Sequence, residues 1–181
     1  MKTLITFFCC FIFVTVSNSQ ERYLTKNGAI TFYSKMPLED ITADNNQVLS
    51  IIDASSGKMA ISILMKSFMF KKALMQEHFN ENYVESDKFP KATFKGSILN
   101  FDAINQAATK AKVKGVLTIH GISKEITIDA NFTKTKETIE VNGNFFIEMD
   151  DFDIEIPAVV AKNIAKKIKV SFNFNHKPYK K

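Results

Sequence analysis

The residues of this chain whose types could carry catalysis are few, and His78 is the first to consider. Glu77 stands beside it and Ser86 follows eight residues on, so a nucleophile, a base and an acid lie close together in sequence. Their spacing works against them. Neighbours at i and i+1 point apart on a helix, and nothing is left to orient a base around a nucleophile. The better reading of His78 is a packing or hydrogen-bonding residue. His120 alternates onto the polar face of a strand and His176 lies near the tail, so three separated histidines lack the ligand spacing of a zinc site. Glu148, Asp150, Asp151, Asp153 and Glu155 could suggest calcium. However, the sharp glycine turn of a calcium loop is missing, and Phe152, Ile154 and Ile156 continue a strand pattern with the acids on its wet face. Asn131-Phe132-Thr133 fits a glycosylation sequon but falls inside a strand. No metal site and no catalytic group emerges, and the expectation is a protein that is not an enzyme. What remains is apolar: 17 Phe and 7 Met, with no Trp.

The elements that position these side chains follow from periodicity. From Gly28 onward apolar and polar residues alternate, the two-residue period of a half-buried strand. Ile30 and Phe32 share a face, as do Met59, Ile61, Ile63 and Met65, then Ala92, Phe94, Gly96 and Ile98, then Val113, Gly115, Leu117 and Ile119. Gly121-Ile122-Ser123 turns the chain, and Ile126, Ile128, Ala130 and Phe132 oppose Glu125, Thr127, Asp129 and Asn131 as one dry and one wet face. Ile139, Val141, Phe145, Ile147 and Met149 continue the series, and a last strand carries Ile168, Val170, Phe172 and Phe174. The pattern breaks between Lys66 and Pro90, where Leu74, Met75, His78 and Phe79 recur at three and four. That spacing predicts a short helix near 71–83, entered through Phe68 and Phe70, as a plug or lid on the sheet. A second helix is expected near 157–166, opening at Pro157, from the helical spacing of Val160, Ala161, Ile164 and Ile168. About eight or nine antiparallel strands, each apolar on one face, must hide that face against a second sheet or by closing on themselves. The pattern alone leaves both open.

Residues 1–19 read as an export signal: Lys2, an apolar run from Leu4 to Val16, and a small-x-small site at Ser17-Asn18-Ser19. The run is too short to span a bilayer. Both cysteines, Cys9 and Cys10, lie in it, so the remaining 20–181, read as one domain, has no thiol or disulfide chemistry. The expected location is periplasmic or secreted. Losing Lys2 lowers the net charge from +5 to about +4, spread thinly along the chain. A nucleic-acid footprint needs a denser basic stripe with stacking aromatics. A solvated face is the reading preferred for the lysines, with weak attraction to an anionic membrane surface as the lesser one.

Three segments then carry a likeness to a family. FYSKMPLEDI (Phe32 to Ile41), EHFNENYVESDKFPKATFKG (Glu77 to Gly96) and VKGVLTIHGISKEITI (Val113 to Ile128) occur in this order. Their strongest pieces are His78 followed by Phe89-Pro90 and Phe94-x-Gly96, and the Leu117-Thr118-Ile119-His120-Gly121 hairpin. In these the chain resembles the YceI-like family, exported bacterial proteins with a lipocalin-like antiparallel barrel that bind lipids or polyisoprenoids. The likeness spans essentially the whole of 20–181. Met75-Gln76 stand where the family usually has an Arg-Asp pair, and the acidic end of the penultimate strand and the helix from Pro157 also depart from its pattern.

The resemblance implies an all-β, closed barrel of about eight strands holding one amphiphilic lipid, a polyisoprenoid or a fatty-acyl chain, and no required cofactor. An apolar interior suits such a chain because each CH₂ removed from water contributes roughly 0.8 kcal/mol. On this reading Phe68, Phe70, Leu74 and Phe79 lie near the entrance, and Ile61, Ile63, Phe94, Leu117, Phe145 and Phe172 line the wall. Met59, Met65 and Met75 supply side chains that adapt to different guests. The competing reading is a non-enzymatic envelope interaction module whose core is filled by its own side chains. The sequence leaves a homodimer open under either reading.

Overall fold

The computed structural model describes residues 21–35, 40–156 and 165–179. The leader expected over 1–19 and most of the helix expected near 157–166 lie outside the described residues. The long strands are β1 (Arg22–Ser34), β2 (Ile41–Asp53), β3 (Lys58–Leu64), β5 (Lys91–Ile98), β6 (Thr109–Ile119), β7 (Ile122–Lys134), β8 (Ile139–Glu148) and β9 (Lys167–Tyr179). Their order around the sheet is β1-β9-β8-β7-β6-β5-β3-β2, and β2 pairs back onto β1, so the sheet closes. Every pairing is antiparallel. Closure answers the question the alternation left open: eight strands curl far enough to hide one face inside a single wall and leave no free edge. A ninth piece, β4 (Met69–Phe70), pairs with β2 beyond the point where β3 ends.

Inward positions follow the alternation closely. In β8, Ile139 and Val141 are buried while Glu140 and Asn142 are exposed. In β9, Ile168, Phe172, Phe174 and His176 are buried and Val170 is half-buried, while Lys167, Lys169, Asn173, Asn175 and Lys177 are exposed. Two backbone features shape the wall. Gly96 and Gly115 face each other across β5 and β6, and a Cβ on Gly115 would lie 2.5 Å from the Lys95 carbonyl oxygen and 2.6 Å from the Phe94 ring. The strands can approach there, with an aromatic ring laid over the pair, only because neither residue has a side chain. Between β6 and β7 the turn is His120-Gly121, with φ of 51° and 77°. Two successive positive φ values are those of the tight hairpin turn that matches strand twist. The turn therefore comes earlier than expected, and Ile122 already opens β7.

The strand registers divide the barrel into two ends. One end gathers the start of β1, the end of β2, the end of β7 and the start of β8, together with the end of β9. There Tyr23, Ile52, Phe132, Ile139 and His176 are almost wholly buried and fill the interior. The other end gathers Ser34, Ile41 and Leu64 with the His120 turn and the close of β8. Two segments fold over that second end. The first runs from the turn at Met65–Ser67 through β4, the helix α1 (Ala73–His78) and a single π turn at Phe79–Tyr83. The second is a 3₁₀ turn at Met149–Phe152 that ends in Asp153 at φ 54°. The strand expected to continue through Phe152, Ile154 and Ile156 is not formed, because the left-handed Asp153 reverses the chain and buries Phe152 and Ile154 by folding over the barrel mouth.

Candidate functional site

Beneath these covers lies a cavity of about 270 Å³, just under the roughly 300–1,000 Å³ usual for small-molecule sites. Every strand from β1 to β9 contributes to its wall or rim, among them Ile30 and Phe32 from β1, Ile61 and Ile63 from β3, Phe94 from β5 and Leu117 from β6. The far wall is Val141, Phe145 and Ile147 from β8 with Val170 and Phe172 from β9. The floor is Phe174, beyond which the filled half begins; its ring stacks on Phe172 with centroids 5.6 Å apart. Among the described lining residues there is no Asp, Glu, Lys or Arg, and the polar ones are Ser34, His78 and Tyr83. Burial pushes the Tyr83 phenol above its ordinary range.

The cover is held down by aromatic packing. Phe32 reaches up from β1 and meets Phe68, Phe70 and Phe79 at centroid distances of 5.3, 5.5 and 5.4 Å. Phe79 also meets Phe70 at 5.0 Å and Phe68 at 5.6 Å. Such tilted and edge-on contacts add about 0.5–1.5 kcal/mol per pair beyond the area buried. Met75, His78 and Phe79 line the cavity from α1 and the turn after it, and His78 is at the same time exposed, so the cavity meets solvent beside this helix.

Of the ten residues expected at the site, nine line the cavity: Ile61, Ile63, Phe68, Phe70, Phe79, Phe94, Leu117, Phe145 and Phe172. Leu74 does not. It is 61% exposed, because Met75, His78 and Phe79 take the inward face and position 74 precedes that face by about 100° of helix rotation. Met59, Met65 and Met75 all reach the lining. Sequence reasoning missed Ser34 and Tyr83, and gave Phe32 no part in the cover, although its shared face with Ile30 was readable.

The histidines behave differently from expectation. His120 is no solvated strand residue: it sits in the hairpin turn with a side chain only 12% exposed. Its Nε2 is 3.1 Å from Glu85 Oε2 and its Nδ1 is 3.2 Å from the Phe152 carbonyl oxygen, while Phe89 packs edge-on at 4.5 Å. Both polar partners, a carboxylate and a backbone carbonyl, are hydrogen-bond acceptors. Lys88 and then His120 hold the Glu85 carboxyl below its ordinary range. One ring thereby ties the first cover, through Glu85, to the second, through Phe152. Lys66 adds an exposed pair with Asp87 at 2.6 Å.

His176 is wholly buried in the filled half. Nδ1 lies 2.9 Å from the Ile139 carbonyl oxygen and must donate to it, so Nε2, 2.8 Å from Ser50 Oγ, accepts the hydroxyl proton. Burial holds this ring neutral, with a pKa of about 4, against the raising effect of the Ile139 bond. A Ser–His pair of this kind has nucleophilic geometry, but Ser50 is 0% exposed and no substrate carbonyl reaches it. His78 makes no hydrogen bond with Glu77 or Ser86 among the described residues, and Ser86 is itself 2% exposed. Among the described residues no group of three or more His, Cys, Asp or Glu is placed to hold a metal ion, and no helix is long and apolar enough to cross a membrane.

A closed antiparallel barrel, solid at one end and hollow under a two-part cover at the other, is a lipocalin-like architecture. The chain belongs to the YceI-like domain family, whose model matches residues 24–176. Solved structures share the fold at low identity. A polyisoprenoid binding domain from Saccharophagus degradans is 15% identical with a TM-score of 0.76, over 87% of this chain and 98% of that one. Burkholderia cenocepacia BcnA is 17% identical with a TM-score of 0.69, over 82% and 95%. The Campylobacter jejuni YceI protein is 19% identical with a TM-score of 0.54, over 99% and 94%. No curated protein matches the sequence.

Proposed function

We propose that this protein is an exported carrier that sequesters one long apolar molecule, an isoprenoid or acyl chain, in the hollow end of its barrel. The observation that carries the reading is the covered cavity, lined almost entirely by aliphatic, aromatic and methionine side chains. Family membership and the likeness to a polyisoprenoid binding domain support it. The leader-like residues 1–19 support export to the periplasm or beyond. Binding rather than catalysis is the role such a site suits. Among the described residues its interior aligns no base on a nucleophile, and the Ser50–His176 pair is sealed in the filled half. Each CH₂ drawn from water into the cavity contributes roughly 0.8 kcal/mol, so about ten of them supply a gross 8 kcal/mol before the costs of association.

Organic extraction of the protein purified from its native host, followed by mass spectrometry, tests this. The expected result is one apolar lipid in near-stoichiometric amount. Extracts without lipid, from protein that also takes up no added isoprenoid alcohol or fatty-acyl compound, reject it.

A further inference from the structure

Ser34 is the polar anomaly of the hollow end. It closes β1, lines the cavity and is 2% exposed, yet its hydroxyl has no hydrogen-bond partner among the described residues. Native proteins leave few buried polar groups in that state, because the lost hydration is not replaced. Besides Ser34, the polar lining residues among those described are His78 and Tyr83, and neither is hydrogen-bonded to its hydroxyl. The polar end of a guest held in the cavity is placed to supply the missing partner.

We propose that Ser34 is the anchor for the uncharged polar end, a hydroxyl or a carbonyl, of the apolar molecule held in the cavity, and that the same surroundings keep carboxylates and phosphates out of it. This rests on the carrier reading and deepens it. A serine hydroxyl donates to a carbonyl and either donates to or accepts from an alcohol, so it serves both heads. An anionic head drawn to the same depth would lose its hydration with no Lys or Arg in the described lining to replace it. The phenol of Tyr83, already pushed up by burial, shows that this surrounding disfavours negative charge. Ser34 follows Phe32 on the same face of β1 and so lies one inward position nearer the covered end of the barrel. The guest's head therefore sits beneath the cover and its chain runs down toward Phe172 and Phe174.

The test is displacement of a neutral fluorescent hydrophobe, N-phenyl-1-naphthylamine, from the full chain at pH 8, where decanoate is fully ionised. Competitors of one chain length are decan-1-ol, decan-2-one, 1-chlorodecane, decanoate and decyl phosphate. The alcohol and ketone are expected to displace the dye at concentrations at least tenfold below decanoate and decyl phosphate. Ser34→Ala and Ser34→Cys are each expected to weaken the alcohol and ketone about fivefold and to leave 1-chlorodecane unchanged. Both should fold, since removing an unpartnered hydroxyl leaves no new group unsatisfied, and the melting temperature of S34A should equal or exceed that of the parent. Decanoate competing as well as decan-1-ol, or Ser34 variants with unaltered alcohol and ketone affinity, overturns the assignment while leaving the carrier reading intact. Failure of the dye and of every competitor to bind overturns both.

Discussion

His176 and Ser50 place a polar pair in the densest part of the molecule, 126 residues apart in sequence and 2.8 Å apart in space. With a folded pKa of about 4 against an ordinary value near 6.5, the ring stays neutral in the native state while it takes up a proton in the unfolded chain. Between those two values the unfolded state binds more protons, so stability falls as the pH is lowered from about 6.5 toward 4. Below both values it changes no further on this account. The full loss is on the order of 3 kcal/mol. Urea denaturation at pH 7.5 and pH 4.5 should show it, and a His176→Gln variant should lose most of the pH dependence in that window. The inward position of His176 was legible: extending the run Ile168, Val170, Phe172, Phe174 by one more step of two reaches it. Its partner Ser50 was not, because nothing local in β2 says which distant strand will face it. Leu74 shows the opposite failure. Its apolar type and helical context suggested the cavity, yet a one-residue shift in helix phase puts it outside.

The first cover is the element on which access depends, and its parts contribute unequally. Phe79 touches three other rings, so Phe79→Ala should lower stability by about 2 kcal/mol, less than a fully buried phenylalanine costs because it is only half-buried. Leu74→Ala, at 61% exposure, should change it by less than about 0.5 kcal/mol. His120→Ala cuts both covers loose at once. Amide hydrogen exchange should then speed up in residues 79–89 and in 149–156 together, with the filled half unaffected; acceleration in one segment alone would contradict the tie that His120 makes between Glu85 and Phe152. In the wall, Gly115→Ala forces a Cβ into backbone of the facing strand and should cost about 1–3 kcal/mol, measured by chemical denaturation. The strands were legible because each has one dry face. The second cover was not. Phe152, Ile154 and Ile156 alternate with acids as a strand would, and only the positive φ at Asp153 separates the two outcomes.

At the scale of the whole molecule the barrel is half core and half cavity. Tyr23, Phe132, Ile139 and the His176 pair pack one end solid, which stabilises the closed sheet and lets the other end stay hollow without collapse. This division was not readable from the sequence. Inward residues of both halves are drawn from the same Phe, Ile, Val and Met, and whether they meet or leave a gap is decided by strand register and by what folds over the mouth. The interaction-module alternative draws on the filled half; the 270 Å³ of apolar space in the other half favours the carrier. The most direct measurement is the affinity of the purified chain for the primary alcohols from hexan-1-ol to dodecan-1-ol. The account predicts a rise of about fourfold per added CH₂, from roughly 0.8 kcal/mol each, levelling off once the cavity is full. Affinities that do not change with chain length, or no measurable binding across the series, would contradict it.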